Sequence, residues 1–149
     1  VRVTLQTRRL FTGGDACQYY KRMNMKVWRM LRYARRVSKQ SKHQHKIGAV
    51  IVQGSIVRSK GFNQVRKASI GQSYTNFIES LHAERHACMQ LPKEDIERCD
   101  IYVWRELATG VPASAKPCEH CMALLISLGI RRVIYSTFEF PYYKIERLT

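Results

Sequence analysis

The stretch Pro117-Cys118-Glu119-His120-Cys121 decides how this chain is read, because two cysteines three positions apart at the start of an apolar helical run suit a single metal ion. Met122, Leu124, Leu125 and Leu128 follow at helical spacing, Gly129 stands where a helix would end, and Pro117 is tolerated where one begins. Cys118 and Cys121 are therefore expected in the first turn. There residues i and i+3 share a face, and the helix dipole with its unpaired N–H groups favours thiolate over thiol. Two thiolates supply half of a tetrahedral site. The missing half is expected from elsewhere in the chain, and the best candidate is His82 in His82-Ala83-Glu84, which places an acid two residues from the histidine.

Length and composition bound the alternatives. A chain of 149 residues, 45% apolar, is one domain with a real core. Its longest apolar run, near Met122 to Ile130, is well short of the ~18 to 20 residues a membrane helix needs, so no membrane span is expected. Five cysteines, Cys17, Cys88, Cys99, Cys118 and Cys121, form no regular disulfide framework and point to a reducing, intracellular compartment. The net charge of +15 is unevenly spread. Residues 1–46 hold 13 Lys and Arg against the single acid Asp15, while the remainder holds 13 against 10. Such an arm attracts a polyanion such as RNA, although solvated helix charge is the plainer explanation.

Outward from the cysteines toward the N-terminus, residues 1–20 read as a basic arm and 21–149 as one domain. Arg9-Leu10-Phe11-Thr12-Gly13-Gly14 resembles the cleavage region of mitochondrial presequences, which makes a mitochondrial address the expectation. Asp15 is placed to cap a long helix running to about Lys39. Met23, Val27, Met30, Leu31, Ala34 and Val37 form its core stripe, and Arg22, Lys26, Arg29 and Arg36 line another side as candidate nucleic-acid contacts.

The middle of the chain predicts a β-hairpin, from Lys46 to Val52 and Ser55 to Phe62, turning at Gln53-Gly54. Residues from Gln64 to Ser80, with Tyr74 and Phe77, read as a loop able to cover a site. A helix is expected from Leu81 to Leu91, a strand from Asp100 to Trp104, a loop from Glu106 to Lys116, the cysteine helix, and a strand from Arg131 to Ser136. Strand, helix, strand in this order implies parallel pairing with a right-handed crossover. Beyond Phe138 an irregular aromatic tail is expected.

From His82 to Cys121, and more loosely from Trp28 to Ser136, the chain resembles the cytidine and deoxycytidylate deaminase superfamily, most closely its compact deoxycytidylate-deaminase-like members. The resemblance implies an α/β fold, a three-layer sandwich with a mixed central sheet and helices on both faces. It also implies Zn²⁺ held by His82, Cys118 and Cys121, with a fourth position open to water. Glu84 is similar in position to the family's proton shuttle, Asn63 to a residue that hydrogen-bonds the sugar, and the backbone of Ala83 to one that meets the base. The implied activity is hydrolytic deamination of a cytosine nucleotide of the dCMP or CMP type, or of cytosine in nucleic acid; adenine in RNA shares the chemistry.

Two other readings stay open at this point. His82 and His86 are four apart, so with the two cysteines they could close a structural zinc site that admits no water. The chain could also be a deaminase-fold RNA-binding structural subunit of a ribonucleoprotein such as a mitochondrial ribosome; homo-oligomerisation is a further option. His120 is expected to face away from the metal, and His43 and His45 to be solvated in a basic connector. The Val103 to Pro117 segment is longer than in many family members, and Arg85 and His86 stand where apolar residues are common.

Overall fold

The computed structural model describes residues 15–66 and 79–149, and side chains over 24–65 and 80–149. The presequence-like pattern and most of the basic arm lie outside the described residues, as does the greater part of the Gln64 to Ser80 segment.

The elements in order are α1 (Asp15–Ser38), β1 (Ile47–Gln53), β2 (Ile56–Phe62), β3 (Gln64–Arg66), β4 (Glu79–Leu81), α2 (Ala83–Cys88), α3 (Lys93–Ile96), β5 (Asp100–Glu106), β6 (Pro112–Ala113), α4 (Glu119–Ser127), β7 (Arg132–Ser136) and β8 (Tyr143–Arg147). The main sheet runs β2-β1-β5-β7-β8, with β6 added beside β5. It is mixed, because β5 and β7 are parallel, as the crossover through α4 demands, while the other pairs are antiparallel.

Strand alternation sorts the apolar runs onto two faces. Ala49, Ile51, Ile101, Val103, Val133 and Tyr135 meet α2, α3 and α4 on one side. Val50, Val52, Tyr102, Trp104 and Ile134 meet α1 on the other. A sheet covered on both faces needs near-continuous apolar strands, and β1 and β5 have them. The result is the three-layer α/β sandwich the resemblance implies.

Two glycines set the spacing of these layers. A side-chain carbon on Gly48 would strike the backbone of Ala34 and Ser38 in α1, and one on Gly61 would strike the backbone of Ala83 and Ala87 in α2. Both helices therefore rest directly on the hairpin. The hairpin turns one residue later than expected, at Gly54-Ser55, with Gly54 at φ 61.

On α1, Met30, Leu31, Ala34 and Val37 are buried as the stripe predicts and Val27 is half-buried, while Met23 falls where side chains lie outside the description. Trp28, which the stripe omits, is also buried, edge-on to both Trp104 and Tyr143. Several short elements depart from expectation. Leu81 pairs with Gln64 in a small β3–β4 ladder, so α2 begins only at Ala83. The Glu106 to Lys116 loop contains β6, which pairs with Arg105 and Glu106. The aromatic tail is not wholly irregular, since β8 extends the sheet antiparallel to β7.

Candidate metal and catalytic centre

Three donor atoms converge from two helix starts. His82 immediately precedes α2 and Cys118 immediately precedes α4; both have extended backbones, and neither spends its side chain on capping. Cys118 thus stands just before the first turn rather than within it, and Cys121 lies inside that turn, buried. Nδ1 of His82 is 3.6 Å from Sγ of Cys118 and 3.3 Å from Sγ of Cys121, and the three donors lie within 4.8 Å of one another. In a tetrahedral zinc site, bonds of about 2.0 Å to nitrogen and 2.3 Å to sulfur put neighbouring N and S atoms roughly 3.5 Å apart. One nitrogen and two sulfurs at these spacings fit Zn²⁺.

His86 does not join them. Its Nδ1 accepts the backbone N–H of Phe62 at 3.1 Å and its ring stands edge-on to Phe62, so a four-ligand closed centre is not assembled. His120 is likewise outside the donor set, although it lines a groove of about 570 Å³ together with His82, Cys118 and Cys121. Cys88, buried on α2, has its thiol pushed up to about 12 by burial and by the neighbouring Glu84 carboxylate, which leaves it an inert packing group.

Glu84 is 4% exposed, a carboxyl in the second position of α2. Burial pushes its pKa up, against the opposing hydrogen bonds of its own backbone N–H and the Cys121 side chain. It lines a second cavity of about 520 Å³ together with Asn63, His82 and Cys118. An acid that holds its proton more tightly than usual therefore shares an opening with the donor cluster.

Asn63 is buried at the end of β2. Its Oδ1 accepts the N–H of Ile47 at 2.9 Å, its Nδ2 donates to the carbonyl of His45, and its own carbonyl accepts from Ser41 Oγ at 2.7 Å. The side chain thus ties the 41–46 connector to the sheet, with one amide N–H left over. Ala83 is fully buried in the first position of α2, where a backbone N–H has no partner within the helix.

The α1 candidates lie elsewhere. Arg29 and Arg36 are exposed, Arg36 sits over the Tyr33 ring at 5.3 Å, Lys26 is half-buried, and the side chain of Arg22 lies outside the described residues. None of the described three lines the Glu84 cavity. Three residues that sequence reasoning left out of the site do line it: His43, His45 and Arg105. The only available signal was their position, just before β1 and at the end of β5, where two neighbouring strands bring them together.

Comparison with known proteins agrees with this geometry. Residues 24–137 match the family model described as the cytidine and deoxycytidylate deaminase zinc-binding region. A deoxycytidylate deaminase of Mycobacterium phage D29 is 28% identical over 108 residues, covering 60% of this chain and 77% of that protein. In fold, the chain is similar to the apo dCMP deaminase of cyanophage S-TIM5, with a TM-score of 0.55 and 21% identity over 76% of this chain and 83% of that one. It is also similar to cytidine deaminase from Burkholderia pseudomallei, with a TM-score of 0.59 and 19% identity over 81% and 91%. The family model spans the hairpin, the histidine and both cysteines, and the chain belongs to the cytidine and deoxycytidylate deaminase family.

Proposed function

We propose that this chain is a zinc-dependent hydrolytic deaminase of a cytosine nucleotide. The observation that carries the reading is Glu84, a buried acid beside the His82, Cys118 and Cys121 cluster, in a cavity that also holds Asn63. Zn²⁺ held by the histidine and the two cysteines supplies Lewis acidity that brings the ionisation of water close to neutral pH.

Glu84 then does the proton work. Its carboxylate takes one proton from the attacking water and delivers it to the ring nitrogen, then relays the second, from the hydroxyl left on the tetrahedral carbon, to the departing amine; the C–N bond breaks as the carbonyl forms, so that cytosine and water become uracil and ammonia. The spare amide N–H of Asn63 is available for a sugar hydroxyl, and the N–H of Ala83 for the base. The activity named for the phage relative supports a nucleotide substrate. The test is ammonia release by zinc-loaded protein from dCMP and CMP beside Glu84→Gln. The variant should keep its zinc and lose at least about 100-fold in turnover; equal release by both proteins would sink the proposal.

One observation favours a second reading, an RNA-bound structural subunit. Arg29, Arg32 and Arg36 are exposed on α1 with no carboxylate partner among the described residues. RNA retention that falls steeply with salt and is lost when these arginines are changed, without any ammonia release, supports that role.

A further inference from the structure

Strand β8, Tyr143-Lys144-Ile145-Glu146-Arg147, forms one edge of the main sheet and has β7 as its one neighbouring strand among the described residues. Its hydrogen-bond phase is fixed at both ends. The Thr137 N–H donates to the Tyr142 carbonyl at 3.0 Å, and the Leu148 N–H donates to the Arg131 carbonyl at 2.9 Å. Backbone groups alternate along an antiparallel ladder, so Lys144 and Glu146 turn theirs toward β7, while Ile145 and Arg147 turn theirs away from it. Side chains alternate too, with Lys144 and Glu146 on one face and Ile145 and Arg147 on the other.

Lys144 and Glu146 each lack what the other offers. Lys144 is exposed, and no carboxylate lies within ion-pair distance of it among the described residues. Glu146 is half-buried beside Tyr135 and lies 3.5 Å from Nζ of Lys116, yet its Oε2 is buried with no hydrogen-bond donor among the described residues. A carboxylate has about four acceptor sites, so this one has room for a further cation.

We infer that β8 is a self-association edge, to which a second copy of this chain adds its own β8, antiparallel, about a twofold axis. Ladder bonds form only where outward-facing positions meet, which allows Ile145 opposite Ile145 or a slip of two residues either way. One slip sets Lys144 against Lys144, and the other sets Glu146 against Glu146. With Ile145 on the axis, Lys144 of each copy stands opposite Glu146 of the other, at the close, non-hydrogen-bonded positions. The charges of the strand therefore select one register. The opposite edge, β2, is built to stay single: self-pairing centred on Arg58, Ser59 or Lys60 opposes cation to cation, and its ladder with β1 shifts between Ile51 and Val52. Phe138 and Phe140, 55% and 66% exposed in the turn leading into β8, lie just past the end of the new ladder and add apolar surface. So short a ladder makes a modest interface, with association expected at micromolar concentration. The axis stands perpendicular to the sheet, so α1 of both copies covers one face of the joined sheet.

The experiment is sedimentation equilibrium of the zinc-loaded protein from micromolar to near-millimolar concentration, for the parent, Ile145→Pro, Lys144→Glu and Glu146→Lys. Amide hydrogen exchange at Ile145 is followed over the same range. The parent should dimerise, and its Ile145 amide should exchange more slowly as concentration rises. Proline at 145 removes one outward N–H and nothing that β7 uses, so the fold should survive while association weakens at least about 10-fold. Lys144→Glu, a change at an exposed side chain, should weaken it roughly 10-fold, because glutamate then opposes glutamate at both positions. An equimolar mixture of Lys144→Glu and Glu146→Lys sets opposite charges face to face again and should recover the dimer that each variant alone has lost. A parent that stays monomeric throughout overturns the proposal. So does association that neither Ile145→Pro nor Lys144→Glu weakens, which would put the contact on another surface. Association lost with Ile145→Pro but indifferent to Lys144→Glu overturns it as well, since the charges would then select nothing.

Discussion

The backbone of Ala87 occupies the space in which Gly61 would carry a side chain. Because α2 also carries Glu84 and begins just after His82, this contact sets the height of both residues above the sheet. Gly61→Ala should force α2 outward, costing about 1–3 kcal/mol by overpacking and weakening zinc retention. Gly54→Ala is the useful comparison. Nothing lies within 4 Å of a side-chain carbon there, so only its left-handed backbone resists, at a cost of about 1 kcal/mol. Chelator competition and melting curves on both variants check this: zinc affinity should fall for Gly61→Ala alone.

His86→Ala addresses the closed four-ligand centre directly. With its ring bonded to the Phe62 backbone, His86 is expected to contribute about 1 kcal/mol of stability and nothing to the metal. Zinc stoichiometry measured after dialysis should equal the parent's, whereas His82→Ala should lose the metal. Loss of zinc from His86→Ala would restore the closed site as the better description.

Acid sensitivity should centre on Asp100. Burial alone would raise its pKa, but paired hydrogen bonds from Arg132 and Arg131, at 2.7 to 3.2 Å, outweigh burial and hold the carboxyl below its ordinary range. A carboxylate whose pKa is lower folded than unfolded stabilises the protein fully above the unfolded value. That contribution is lost as pH falls below about 3.9 and on through the folded value. Asp100→Asn should therefore melt several degrees lower at pH 7, for a loss of about 1–3 kcal/mol once the half-exposure of Arg131 is discounted. The gap between parent and variant melting temperatures should shrink toward zero in acid. A gap independent of pH would show that packing, not charge, holds this corner.

The main layers were legible in sequence because their signals are long. The apolar runs at Ala49 to Val52 and Asp100 to Trp104 are those of strands covered on both faces, and Gly129 does sit in the left-handed region, at φ 78, just past α4. The donor trio was legible for a different reason: the ligand spacing is local to each helix start, and the geometry brings His82, Cys118 and Cys121 together. What escaped was short or non-local. The ladders at Gln64–Arg66, Glu79–Leu81 and Pro112–Ala113 are too brief for any periodicity, and β8 follows a turn in which Tyr142 takes φ 68. His45 is exposed, as expected of the connector, and His43 half-buried, but nothing local reveals that Asn63, 18 and 20 residues further on, draws that connector against the cavity.

Gly48 and Gly61 lie on adjoining rungs of the hairpin, one opposite Phe62 and the other opposite Ala49, and each admits a helix on its own side. At that point the sandwich is peptide upon peptide, with no side chain interposed. The distance from the arginine-bearing helix to the helix of Glu84 is therefore set by main-chain thickness alone. Conservative exchanges in the surrounding core can alter its volume, but that gauge is one they have no means to reset.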